Sequence, residues 1–251
     1  MSAILSQANR QRVAVPAGAD QHTIRRMFAE VAPRYDFLNH LLSLEQDHLW
    51  RRCLVRSALA RGGVARVLDL CTGTGDLALA FARRLPADAR VLGLDFCGAM
   101  VERARHKLLG LCLPSVSFGL GDATSLPIRS RQFDVVSVAF GIRNVADRAA
   151  AIAEVHRVLR PGGSFHVLEF SMPRLPLIRH VYAFYFARIL PWIGRVVART
   201  RLDAYAYLPA SVGQFPDPPA FARELERGGF GPVTRRSLSM GTVSLYQAIA
   251  G

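Results

Sequence analysis

The sequence predicts an α/β fold: a doubly wound, mostly parallel sheet with a helical lid before it and an antiparallel hairpin at its end. Three observations lead there. From Val64 onward, short β-rich apolar runs alternate with segments of helical period, the order that a parallel sheet with right-handed crossovers requires. A glycine pair, Gly73 and Gly75, follows the first of these runs, where an open sheet of this kind places its ligand turn. The last two runs, Val233–Met240 and Val243–Ile249, are parted only by Gly241-Thr242, which is short enough for a hairpin and too short for a crossover.

The elements follow in chain order. Residues before about 62 read as the lid, with helices at Ile24–Val31 and His48–Ala60. Arg66–Leu70 is the first strand, and a helix begins near Asp76. Val91–Asp95 is the second strand, Ala99–Leu109 the next helix, Val116–Leu120 the third strand and Phe133–Phe140 the fourth. Arg148–Leu159 is helical because Ala151, Val155, Val158 and Leu159 fall on one face. Arg160-Pro161-Gly162-Gly163 stops it, since Pro cannot continue a helix and Gly supplies the turn. Ser164–Phe170 is the fifth strand. Asp217-Pro218-Pro219 reads as another helix start. The expected organisation is a flexible segment over 1–21 and one domain over 22–251. That domain divides into a lid (22–62), a cofactor-binding core (63–170), and a substrate- and membrane-facing helix with the final strands (171–251).

Composition narrows the function classes. The 251 residues carry 32 Lys plus Arg against 19 Asp plus Glu, a net charge of +13, and Lys107 is the single lysine. Such a charge invites an anionic membrane or a nucleic acid, and an Arg-rich coding bias would produce it equally well. Hydrophobic residues at 51% exclude a disordered chain. Cys53, Cys71, Cys97 and Cys112 have no C-x-x-C spacing and read as buried thiols of a reducing cytoplasm, so no metal is expected. Met1–Asp20 has no apolar core of a signal peptide. The apolar stretch His180–Ala198 is broken by Arg188, Pro191 and Arg195, too often for a membrane span.

The chemistry concentrates at the strand ends. Asp69-Leu70-Cys71-Thr72-Gly73-Thr74-Gly75-Asp76 closes the first strand, and its glycines let the backbone turn sharply against a ligand. Ala78 stands where a dinucleotide motif would place its third glycine, so that motif survives only in its loosest form. Asp95 ends the next strand, 22 residues after Gly73, where a carboxylate accepts from ribose hydroxyls. Asp122, in Gly121-Asp122-Ala123, is placed to accept from an adenine amino group. An acidic residue opening the loop would repel a pyrophosphate; Asp69 suits a ligand carrying an ammonium or sulfonium group.

Asp69 to Gly75, Asp95, Gly121-Asp122-Ala123 and Leu159-Arg160-Pro161-Gly162-Gly163 resemble the motifs of class I S-adenosylmethionine-dependent methyltransferases, a Rossmann-like fold. More narrowly, the chain resembles the ubiquinone/menaquinone biosynthesis C-methyltransferases (the UbiE/MenG family) over roughly residues 22 to 250. The specific matches are Phe28 to Asn39, Asp69 to Asp76, Phe140-Gly141-Ile142-Arg143-Asn144, Leu168-Glu169-Phe170-Ser171, and Tyr205 to Leu208 with Phe215-Pro216. Cys71 departs from the Ala or Gly more common there, and Ala139 from the Ser of some members.

The resemblance implies S-adenosylmethionine as methyl donor, held by Asp69, Gly73, Thr74, Gly75, Asp95, Asp122 and Ala123. It implies a polyprenylated quinol as acceptor, demethylmenaquinol first and a benzoquinol as the alternative. A ring carbon becomes nucleophilic when its hydroxyl loses a proton, so the site needs a base or a cation that steadies the oxygen anion. Arg143 is expected to steady that anion, Asn144 to orient the ring, and Tyr35, Asp36 and Glu169 to position groups or accept a proton. His166, inside a strand, reads as a satisfied core histidine. Over Leu175–Ala198, aromatic residues could meet acyl or prenyl chains while Arg residues meet headgroups, or the stretch is an ordinary core helix. The expected location is the cytoplasm, with peripheral contact at the inner face of the cytoplasmic membrane, and a homodimer or a quinone-synthesis complex is compatible with it.

The rivals are an RNA methyltransferase, a non-catalytic scaffold binding cofactor or lipid, and a nicotinamide oxidoreductase. The polar-Pro-Pro-aromatic motif common among enzymes methylating exocyclic amines is absent after the fourth strand, where Ala139-Phe140-Gly141-Ile142-Arg143-Asn144 stands.

Overall fold

The computed structural model describes residues 19–111, 113, 115–173, 175–189 and 204–251. Seven strands, β1 (Arg66–Leu70), β2 (Arg90–Asp95), β3 (Val116–Leu120), β4 (Phe133–Ala139), β5 (Leu159–Phe170), β6 (Thr234–Leu238) and β7 (Val243–Ile249), form one sheet in the order β3-β2-β1-β4-β5-β7-β6. β1 to β5 run parallel, and β7 runs antiparallel to both β5 and β6. The strand order reverses between β1 and β4, and ligands of doubly wound sheets bind beyond the carboxyl ends at such a switch.

The helices are α1 (Gln21–Val31), α2 (Tyr35–Ser43), α3 (Gln46–Leu59), α4 (Asp76–Ala82), α5 (Gly98–Leu108), α6 (Arg148–Val158), α7 (Pro176–Phe184), α8 (Ala204–Gln214) and α9 (Pro218–Arg227). One face of the sheet buries Leu68, Val136 and Phe165 under α6 (Ile152, Val155) and α9 (Phe221, Leu225). The other buries Val67, Val91 and Val135 under α3 (Leu54, Val55), α4 (Leu77, Phe81) and α5 (Val101, Ala104). Alternate residues of each central strand serve opposite faces, so both are apolar and the strands read as near-continuous hydrophobic runs.

The elements differ from the sequence reading at a few points. α2 is absent from that reading because Pro33 interrupts the pattern and only Leu38 of the helix is buried, leaving no apolar stripe to count. α8 is absent from it because Pro209 lies in its interior. β5 begins at Leu159 rather than Ser164. The Pro-Gly-Gly segment ends α6 as expected, but Leu159 already pairs with Phe133, and a register shift between Phe133 and Val135 absorbs the turn. Asp217 caps α9 by accepting from the Ala220 N–H at 2.8 Å, as the Asp-Pro-Pro sequence requires. The remainder of the apolar stretch, 190–198, lies outside the described residues, as does Cys112. Among the described residues no helix is long and apolar enough to cross a membrane.

Above the carboxyl ends of the strands, α1 and α2 form the lid. Asp20 caps α1 by accepting from the Thr23 N–H and hydroxyl at 3.0 and 2.7 Å, and Ile24, Met27 and Val31 bury one stripe. α2 ends where Leu44 and Glu45 take left-handed backbone (φ 51° and 62°), which turns the chain into α3.

Candidate active site

The glycine loop is built from two carboxylates. Asp69, at the end of β1, is buried and accepts from the Thr72 hydroxyl at 2.6 Å and the Ser137 hydroxyl at 2.9 Å. Burial nevertheless dominates and pushes its carboxyl up to about 7. Asp95, at the end of β2, accepts from the Gly73 N–H at 2.8 Å and the Cys97 N–H at 2.9 Å, so it holds the loop while keeping lone pairs for a further donor. Burial raises its pKa as well.

Gly73 and Gly75 have φ of +56° and +87°, the left-handed region that favours glycine, and a Cβ on Gly75 would come within 2.6 Å of the Phe118 ring. Gly141 serves a different purpose: a Cβ there would come within 2.3 Å of Cys71 Cβ, so its lack of a side chain lets the turn after β4 close on the loop.

Two cavities meet at this loop. The smaller, about 60 Å³, is lined by Gly73, Asp95, Asp122, Ala123 and Asn144 under Gln21 and Phe28 of α1. Asp122 accepts from Gln21 Nε2 at 3.0 Å and from the Thr124 N–H and hydroxyl. The larger, about 420 Å³, lies beside the loop and is walled by Trp50, Phe140, Phe170, Tyr182, Tyr207 and Arg143. Tyr35 and Phe28 line both cavities, as do Cys71 and Gly73. Burial raises the Tyr35 phenol above its ordinary range, with Arg143 opposing, so it stays a neutral hydroxyl.

Arg143 is fixed before any ligand arrives. Its Nη1 donates to Glu169 Oε1 at 2.8 Å and to the Phe140 carbonyl, its Nε donates to Ser211 Oγ at 3.3 Å, and the guanidinium lies 5.5 Å from the centre of the Phe170 ring. Glu169 is fully buried at the end of β5; burial raises its pKa and Arg143 pulls it back. Arg143 thus reaches the larger cavity, whereas Asn144, bonded to the Tyr207 hydroxyl at 3.1 Å, lies on the wall of the smaller one beside Asp95 and Asp122. Asp36 lines neither cavity: its carboxylate holds the Thr74 hydroxyl and pairs with Lys107. His166 is buried but only half satisfied, with Nε2 bonded to Ser164 at 3.1 Å and Nδ1 without a partner, and burial holds its pKa down near 4.

The sequence reading missed Gln21, Arg51, Trp50 and Lys107 around these cavities. Gln21 of α1 and Trp50 and Arg51 of α3 carry no motif of their own. Lys107 carried one compositional signal, as the single lysine of the chain.

The fit to S-adenosylmethionine rests on this geometry. A Cβ at Gly73 would meet nothing closer than Tyr35 at 3.8 Å, and three carboxylates at successive strand ends surround the cradle, a set of acceptors for ribose hydroxyls, an amino group and a cation. Fold and site together define a class I S-adenosylmethionine-dependent methyltransferase. Among solved structures the [4+2]-cyclase SpnF is similar over 94% of this chain and 97% of its own, with a TM-score of 0.62 at 18% identity, a likeness of fold.

The chain belongs to the ubiE/COQ5 methyltransferase family, whose model matches residues 17–250. It is 42% identical over 230 residues to the ubiquinone/menaquinone biosynthesis C-methyltransferase UbiE of Geobacter sulfurreducens, covering 91% of this chain and 88% of that one. It is 44% identical over 220 residues to the demethylmenaquinone methyltransferase of Thermus thermophilus, covering 88% and 98%.

Proposed function

We propose that this enzyme transfers a methyl group from S-adenosylmethionine to a ring carbon of a polyprenylated quinol, with demethylmenaquinol as the preferred acceptor and the corresponding benzoquinol as the alternative. The observation that carries the reading is the larger cavity: an aromatic chamber of about 420 Å³ that meets the glycine loop and presents one immobilised guanidinium, Arg143. The donor supplies an electrophilic methyl on a sulfonium, and in-line displacement then depends on holding the acceptor close and dry.

The aromatic walls Trp50, Phe140 and Phe170 pack against one another, with ring centroids 4.6 to 6.3 Å apart, and offer flat faces to a flat ring. Arg143 cannot act as a base at neutral pH; it steadies the oxygen anion that makes the ring carbon nucleophilic. Asp95 and Asp122 hold the nucleoside end of the donor, and Asp69 with Thr74 lies toward its cationic end. The mouth of the chamber is apolar and open: Leu44, Val181 and Met240 line it and are exposed at 75%, 63% and 73%. Such a mouth suits a prenyl tail that leaves the chamber toward a lipid surface.

Labelled S-adenosylmethionine with demethylmenaquinol or the demethylated benzoquinol tests the acceptor, and the quinone profile of cells lacking the protein names it independently. Methylation of neither quinol would overturn the reading. Because Arg143→Ala would leave Glu169 buried and unpaired, at a cost of about 3–5 kcal/mol, the informative variant is Arg143→Met with Glu169→Gln. It is expected to bind the donor with unchanged affinity and to lose turnover by at least about a hundredfold, the scale of a lost oxyanion donor. Unchanged turnover would remove Arg143 from the chemistry.

A further inference from the structure

The chain contains one lysine, and every hydrogen of its ammonium is used. Lys107 extends from α5 and places Nζ 2.7 Å from Asp36 Oδ2 on lid helix α2, 2.6 Å from Asp76 Oδ1 at the start of α4, and 2.9 Å from the Thr74 hydroxyl oxygen of the glycine loop. The three acceptors belong to three separate pieces of the site. Thr74 in turn gives its own proton to Asp36 Oδ1, which closes a ring of hydrogen bonds, and Arg51 of α3 stands 3.6 Å from the second Asp76 oxygen.

The ring fixes the direction of each bond. A hydroxyl has one proton and two lone pairs. The proton of Thr74 is committed to Asp36 and one lone pair to Lys107, so toward the cavity this hydroxyl can only accept. An acceptor beside Asp69 and the glycine loop suits the ammonium of an amino-acid moiety and does not suit its carboxylate.

The neighbouring residue on α2 is Tyr35, which lines both cavities, so the same ammonium also sets where the lid meets the loop. An arginine could not reproduce this arrangement: its donors are spread over a planar fork, whereas here three oxygens converge on one nitrogen. Elsewhere in this sequence every cationic side chain is Arg, and the exception falls where a compact point charge is required.

We propose that Lys107 is a positioning residue for the methyl donor, orienting the Thr74 hydroxyl as an acceptor for the donor's ammonium and holding α2 against the glycine loop. This rests on the donor site assigned above. The test measures S-adenosylmethionine affinity by calorimetry, together with the KM of the quinol, in Lys107→Arg, Lys107→Met, Thr74→Val, Thr74→Ser and the double variant Lys107→Met with Thr74→Val.

Lys107→Arg and Lys107→Met are expected to weaken donor binding alike, each by about tenfold, the effect of one lost charge-assisted hydrogen bond. The quinol KM should rise by less than the donor's dissociation constant, because the bond lost faces the donor while α2 only walls the quinol chamber. Thr74→Val should weaken the donor to a similar extent without adding to Lys107→Met, because both act on one bond network. Thr74→Ser, which keeps the hydroxyl, should restore affinity.

Wild-type donor affinity in Lys107→Arg would overturn the proposal, since charge alone would then suffice, and so would additivity of the two losses. Asp95→Ala separates this from the parent reading: if it leaves donor affinity unchanged, the donor-site assignment itself fails, whatever Lys107 does.

Discussion

Two buried groups on the strands that flank β4 titrate in opposite senses. Asp69 is raised from 3.8 to about 7 and His166 is lowered from 6.5 to about 4, both by burial. A raised carboxyl contributes stability that is present in acid and lost as the pH climbs toward 7; a depressed imidazole contributes stability that is present above 6.5 and lost as the pH falls toward 4. At about 1.4 kcal/mol per pH unit, each is worth several kcal/mol across nearly the same window, with opposite sign. Asp69→Asn should therefore steepen the loss of stability between pH 7 and 4, and His166→Gln should reduce it, as read by urea unfolding at fixed pH values. Identical slopes in both variants would mean that the two groups do not titrate as their burial dictates. Donor binding adds a check, because a cation bound near Asp69 expels its proton, so calorimetry in buffers of different ionisation heat should show proton release near pH 6.5 that Asp69→Asn abolishes. The sequence disclosed the carboxylates, because each follows a legible strand. It did not disclose that Asp36 and Glu169 are occupied by Lys107 and Arg143, since those pairs join residues 71 and 26 positions apart.

At the scale of the element, legibility followed burial. Strands buried on both faces announced themselves as apolar runs, and β1 and β3 match the sequence reading residue for residue. The lid was harder. α2 buries a single residue and turns outward with Phe37 at 60% and Leu41 at 41% exposure, so its periodicity carries no core signal, although its residues frame the chamber. The turn after β4 shows how closely elements constrain one another. Cys71 holds a left-handed φ of 52° on the loop, and Phe140 holds 58° on the facing turn, with Gly141 pressed against Cys71. Gly141→Ala should thus push the two turns apart, lower the Tm by several degrees and weaken donor binding by at least about tenfold, as overpacking of a tight contact does. In a Cys71→Gly background the intruding methyl meets no Cβ and the left-handed residue is glycine, so most of both losses should be recovered. Failure of that recovery would mean that Gly141 is needed for its own backbone conformation and not for the space it leaves.

At the scale of the molecule, part of the basic charge shares a surface with exposed apolar side chains. The Tyr185 hydroxyl, just past α7, donates to the Leu42 carbonyl of α2 at 2.8 Å, which brings two apolar helices together at the chamber mouth. Around that contact Phe37 and Leu41 of α2, and Leu177, Val181 and Phe184 of α7, are all exposed, with Arg179 and Arg188 exposed beside them. Scattered exposed apolar residues need no explanation, but exposed apolar residues on two helices that meet beside an aromatic chamber, with arginines among them, have the composition of an interfacial contact. Nucleic-acid binding would need those cations without the apolar cluster. The two readings part on salt and lipid. Vesicles containing phosphatidylglycerol should retain the protein in flotation at low salt, with weaker binding as salt rises and little binding to neutral vesicles. Leu177→Glu with Val181→Glu should release it from vesicles and raise the apparent KM for a long-chain quinol while leaving turnover of a short-chain, soluble quinol intact. Vesicle binding that survives both the double substitution and high salt would place the contact elsewhere on the molecule. A steep salt dependence of RNA affinity without any vesicle retention would assign the charge to a nucleic acid instead. The chamber and its mouth would then need separate explanations, whereas a lipid-soluble acceptor accounts for the aromatic walls, the open apolar rim and the cationic border at once.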